Sequence, residues 1–118
     1  MKKNKVPINI HKEYHAHVYF DQTTLSKAEK ICCEAGKLFA LKVGRVHQKP
    51  IGPHRYWSCQ ISFTCEHFDQ FVPWLALNRE GLNVLVHGLT GNNLKDHTEY
   101  AYWLGEEVSL NLEIFKNN

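Results

Sequence analysis

The sequence predicts an α+β domain in the ferredoxin-like βαββαβ order, with an antiparallel sheet, both helices on one face, and an extra C-terminal strand. Two stretches, 23–39 and 65–79, carry apolar residues at helical spacing, and the stretches around them alternate at period two. Their order along the chain is strand, helix, strand, strand, helix, strand. At 118 residues the chain has the size of one compact domain, 1–118, in which 1–11 reads as a flexible arm.

The first strand is YHAHVYFD (14–21), where Tyr14, Ala16, Val18 and Phe20 share one face and His15 and His17 the other. TTLSKAEKICCEAGKLF (23–39) opens on a threonine able to cap and places Leu25, Ala28, Ile31, Cys32 and Ala35 on one side, with Gly36 as its stop signal. ALKVGRVHQ (40–48) alternates weakly as a second strand, and KPIGP (49–53) is a loop. HRYWSCQISF (54–63) is a half-buried third strand, with Trp57, Cys59, Ile61 and Phe63 inward and His54, Tyr56, Ser58 and Gln60 outward. In CEHFDQFVPWLALNR (65–79), Phe68, Phe71, Val72 and Leu75 form the helical stripe, and Pro73 marks a kink or a late start. GLNVLVHG (81–88) is the fourth strand, 89–105 reads as a polar loop, and VSLNLEIF (108–115) is the extra strand.

Composition narrows the classes of function. With 14 Lys and Arg against 12 Asp and Glu, no field strong enough to attract nucleic acid is expected. No apolar run suits a signal peptide or membrane span, so a cytoplasmic location is the default expectation. Cys32, Cys33, Cys59 and Cys65 have no zinc-ribbon spacing and read as reduced residues. Eight histidines are the unusual feature.

An isolated HxH pair is either a polar surface stripe or half of a site. The ferredoxin-like strand order 4-1-3-2 sets the end of the fourth strand beside the start of the first, bringing His87 next to His15 and His17 on the open face. Three imidazoles there suit iron, zinc or copper and leave coordination positions free. His54, opening the third strand, is expected roughly 7–13 Å from His17 along the sheet at ~3.3 Å per residue, a position for acid–base work on substrate rather than for metal. Asp96 beside His97 has three readings: orienting a histidine, completing a 2-His-1-carboxylate site, or capping a helix. Tyr56 and Arg79 are candidates for binding substrate, Arg79 through a carboxylate. His11, His47 and His67 fall outside the convergence and read as surface residues.

YHAHVYFD, GPH at 52–54, FVPWLALNREGLNVLVH at 71–87 and LTGNN…DHTEYAYWLGE at 89–106 together resemble the DOPA 4,5-dioxygenase family of small aromatic ring-opening enzymes. The resemblance implies extradiol cleavage of a catechol such as L-DOPA with O₂ at a non-haem Fe(II), zinc or another divalent ion being an alternative occupant. It implies His15, His17 and His87 as metal ligands, with Glu13, Asp21 or Asp96 as a carboxylate that could join them. His54 would shuttle a proton, with His97 a second candidate for that task. Two positions depart from the pattern associated with the family: Arg55 and Gly88 stand where proline is expected. The rival reading is a non-catalytic small-molecule or metal-binding homodimer paired through the open sheet face or the 108–115 edge, and a dimer partner could also roof the site of an enzyme.

Overall fold

The computed structural model describes residues 7–116. β1 (Glu13–Phe20), α1 (Leu25–Phe39), β2 (Lys42–His47), β3 (Trp57–Thr64), α2 (Cys65–Asn78) and β4 (Val84–Gly88) follow in the expected order. A short α3 (Asn93–Asp96) and β5 (Ala101–Leu104) come next, then a 3-10 turn at Leu112–Phe115. The sheet runs β2-β3-β1-β4-β5 with all pairs antiparallel, so the ferredoxin-like core gains one strand beyond β4.

That extra strand is Ala101–Leu104, not 108–115. Tyr102 and Leu104 join the core under the helices, while Ala101 faces the other way with Trp103 packed near it. Gly105, at φ 88, then turns the chain off the sheet. The alternating 108–115 segment instead crosses the open face, where Val108 and Leu110 pack on Tyr19, Leu85 and Ala101. The chain thus supplies a roof of its own over the face expected to be bare.

One core fills the space between sheet and helices, built from Tyr14, Ala16 and Val18 of β1, Ile31 of α1, Ile61 of β3, Phe71 and Leu75 of α2 and Val84 of β4. Burial of a side chain such as Ile31 or Phe71 contributes about 1.5–3 kcal/mol. Ahead of α1 the Asp21 carboxylate accepts from the backbone N–H groups of Thr23 and Thr24 and closes the turn into the helix, whose N-cap Thr24 makes no side-chain cap. Gly36 does not end the helix; a Cβ there would press on Val43 of β2, so glycine permits close packing, and Ala40 supplies the left-handed exit at φ 54. Thr64 caps α2, which runs through Pro73.

The arm is described from Pro7 onward, and Pro7–His11 is tied down, while residues 1–6 lie outside the described residues. The Ile10 and His11 N–H groups donate to the Tyr14 hydroxyl at 2.7 Å, and Asn9 donates to the Cys65 carbonyl. His11, expected at the surface, packs edge-on against Tyr14 and Tyr100. Gly88 makes this possible, because a Cβ there would fall on the His11 imidazole. Its N–H also donates to the Tyr100 carbonyl at 3.3 Å, a bond that proline could not make.

Candidate metal centre

Strand register builds the centre. His15 lies directly opposite His87 in the β1–β4 pair, and His17, two residues on, projects from the same face. One ligand atom from each of the three lies within 4.8 Å of the others. His17 and His87 are buried, their rings stacked with Nε2 atoms 3.0 Å apart, while His15 is half-buried with its ring 5.5 Å from that of His87.

Burial holds these imidazoles in their neutral, ligating form. Desolvation, then the neighbouring imidazoles His54, His87 and His15, push His17 well below the ordinary histidine value. Desolvation and the nearby His97 take His87 down to about 3, and the same two causes lower His15. Nδ1 of His87 lies 2.9 Å from the Gly88 carbonyl and can only donate to it, so Nε2 carries the free lone pair.

His54 sits much closer than strand spacing predicts, with its ring 4.1 Å from that of His17. The reason is that β3 begins at Trp57, leaving His54 in a turn that folds back over the sheet. Ile51 and Leu110 each bridge to His54, and the Asn111 N–H donates to the Pro53 carbonyl at 2.8 Å. Arg55, in place of a proline, adds a donation to the Leu110 carbonyl. Buried at this point, His54 is lowered to about 4, by desolvation first and by His97 next.

His97 also enters the cluster, its ring 4.2 Å from His87 and 4.7 Å from Phe115 of the 3-10 turn. Its Nδ1 donates to the Asn93 carbonyl at 2.7 Å, leaving Nε2 as an acceptor, and desolvation lowers it. Asp96 is buried but turned into its own loop, accepting from the Thr90 N–H and from the Thr90 hydroxyl at 2.6 Å. Asp21 is spent on the turn before α1, and Glu13 is exposed at the strand start, so the described cluster is one of imidazoles.

Arg79 is not brought to the site: its guanidinium donates to the Leu82 carbonyl at 3.0 Å. Tyr56, 49% exposed, lies across from Tyr19 on the wall of a cleft of about 450 Å³, which Asp21, Asn83, Glu106 and Val108 also line. His47 pairs with Ser58 on β3 and is among the charges that lower His54, nearer than expected; His67, on α2, turns to Thr64. Two residues went unread in the sequence. Gln60 lies 3.3 Å from His15 Nε2, and Tyr19 Oη lies 2.6 Å from His54 Nδ1. Both share the histidine face, Tyr19 continuing the His15-x-His17 alternation by one step, and that periodicity could have singled it out.

The donor set fits a divalent metal. Three neutral nitrogens converge without a charge to neutralise, and the 3.0 Å His17–His87 spacing matches two nitrogens each about 2.1 Å from one centre.

A ferredoxin-like sheet carrying a three-histidine cluster, two of its rings buried, defines a domain with a candidate metal centre. Residues 14–114 match the Dopa 4,5-dioxygenase family, and the chain belongs to that family. It is 33% identical over 110 residues to a DOPA 4,5-dioxygenase of Amanita muscaria, covering 86% of this chain and 48% of that protein. A 21.2 kDa uncharacterized protein of Botryotinia fuckeliana is 40% identical over 84 residues, 64% of this chain and 46% of the relative. The chain therefore spans about half the length of these curated relatives. A crystal structure titled as a "putative dioxygenase" of Nostoc punctiforme superposes with a TM-score of 0.84 at 44% identity, covering 93% of this chain and 95% of that one.

Proposed function

We propose that this chain is an extradiol-type dioxygenase that opens a catechol such as L-DOPA. Both atoms of O₂ enter the product, and the ring bond beside a hydroxyl-bearing carbon breaks. The observation that carries this reading is the meeting of His15, His17 and His87, with ligand atoms within 4.8 Å and rings that burial favours in the neutral form.

These three histidines would hold a non-haem Fe(II). When bound, the metal supplies a Lewis-acidic centre that gathers catechol and O₂ and stabilises charge on oxygen. The chain's own groups do the rest. His97, with Nδ1 engaged by Asn93, offers Nε2 to accept a catechol proton and, as the imidazolium so formed, returns it as the ring opens, while neutral His54 donates a hydrogen bond to substrate oxygen. Tyr19, Leu85 and Ala101 beneath Val108 and Leu110 exclude water from one side of the cluster. The cleft bounded by Tyr19 and Tyr56 receives the substituent on the ring, placing the amino-acid tail of a DOPA-like substrate away from the histidines. Arg79 donates to the Leu82 carbonyl and does not line this cleft, so Tyr56 carries more of the recognition.

The test is aerobic turnover. Protein loaded with Fe(II) under anaerobic conditions, then given L-DOPA and air, should consume O₂ as a yellow ring-opened semialdehyde accumulates. Stoichiometric binding with no O₂ uptake for any catechol would instead support a metal- or ligand-binding protein.

A further inference from the structure

We propose that Tyr19 is a positioning residue for His54, fixing the imidazole in the tautomer whose proton is on Nε2. This rests on the reading of His54 as a hydrogen-bond donor to substrate. Tyr19 is 5% exposed, and its hydroxyl lies 2.6 Å from His54 Nδ1, its sole hydrogen-bond partner among the described residues.

That single contact determines the direction of the bond. If Nδ1 carried the proton it would donate to the phenol oxygen, and the phenol's own proton would be buried without an acceptor, at a cost of about 1–3 kcal/mol. With the phenol donating, the phenol proton and Nδ1 are both satisfied. Nδ1 is then the acceptor, and a neutral imidazole must carry its proton on Nε2. The ring so fixed stands 4.1 Å from His17, where an N–H donor is at hand beside the candidate metal centre.

Separate elements hold the two partners. Tyr19 projects from β1, stacks on Trp103 of β5 at 6.0 Å and packs with Leu85 and Ala101. His54 is pinned through its backbone by the Ile51 and Leu110 bridges. Neither side depends on the hydrogen bond for its place, so the bond selects the tautomer and ring plane rather than the path of the chain. Tyr19 also walls the cleft that Tyr56 lines, so it touches both His54 and that cleft.

The experiment is nitrogen-15 NMR of the histidine rings at neutral pH without added metal, with His54 assigned by the signals lost in His54→Gln. The wild-type protein should show a protonated Nε2 and an unprotonated, hydrogen-bonded Nδ1 for His54. A protonated Nδ1 would overturn the proposal. Tyr19→Phe, which keeps the ring against Trp103, should shift the Nδ1 resonance to that of a nitrogen with no hydrogen bond. In iron-loaded protein the same variant should lower kcat about 10- to 100-fold while KM moves less than about threefold and iron content stays constant. An unchanged Nδ1 resonance in Tyr19→Phe, or unchanged kcat in an active enzyme, would also overturn it. Absence of turnover in the wild-type protein would remove the dioxygenase reading, while the NMR result would still decide the bond.

Discussion

His17 Nε2 and His87 Nε2 lie 3.0 Å apart across the β1–β4 pair, buried and in hydrogen-bond contact. Because His87 uses its Nδ1 proton on the Gly88 carbonyl, the proton between the two Nε2 atoms belongs to His17. A metal that takes both Nε2 lone pairs therefore requires neutral His17 to carry its proton on Nδ1 instead.

Holding these rings neutral gives the fold a pH dependence with a definite sign. Buried His87 and His54 titrate near 3 and 4 in the folded chain, whereas an unfolded histidine titrates at about 6.5. Between those values the unfolded chain binds more protons, so their stabilising effect is fully present above about pH 6.5 and declines as pH falls toward 4 and then 3. Each group contributes a slope of up to about 1.4 kcal/mol per pH unit in that window. Urea unfolding without metal should give a midpoint that drops steadily from pH 7 to pH 5, and a flat profile would show that these rings are not held neutral.

Asp96→Asn separates a loop carboxylate from a metal ligand. Asp96 accepts two bonds from Thr90, one of them at 2.6 Å, so the substitution should cost about 1–3 kcal/mol of stability. Metal affinity should change little. A variant that stays folded but loses metal would put Asp96 into the coordination set.

Gly88→Ala tests the packing that replaces the expected proline. The added Cβ collides with the His11 ring, and overpacking of this kind costs about 1–3 kcal/mol. His11→Ala should relieve most of that cost in the double variant, giving a coupling energy of at least about 0.5 kcal/mol in denaturation experiments. Strict additivity would mean that the two residues do not share the space.

Most of the site was legible because it is written in period-two alternation. His15 and His17 share a strand face, and the ferredoxin-like order alone brings His87 opposite His15. His54 was misplaced because its strand was read as starting three residues early, whereas a turn pinned by Leu110 carries it back over the sheet. Nothing local encodes that long-range bridge. The same bridge explains the misread extra strand: the alternating 108–115 segment spends its apolar residues on the open face, and the short Ala101–Leu104 run, flanked by polar residues, takes the place beside β4. Likewise Asp96 and Asp21 carry the right chemistry for a metal, but their hydrogen bonds go to nearby backbone and hydroxyl groups.

Anaerobic titration with Fe(II), followed calorimetrically on the wild-type protein, His17→Ala and His54→Gln, tests the three-histidine centre most directly. One Fe(II) per wild-type chain is expected, with the same stoichiometry for His54→Gln. For His17→Ala an affinity loss above about 100-fold is expected, beyond what removing a supporting partner behind a ligand costs. Equal affinity in the wild-type protein and His17→Ala, or no binding by the wild-type protein, would contradict a three-histidine centre.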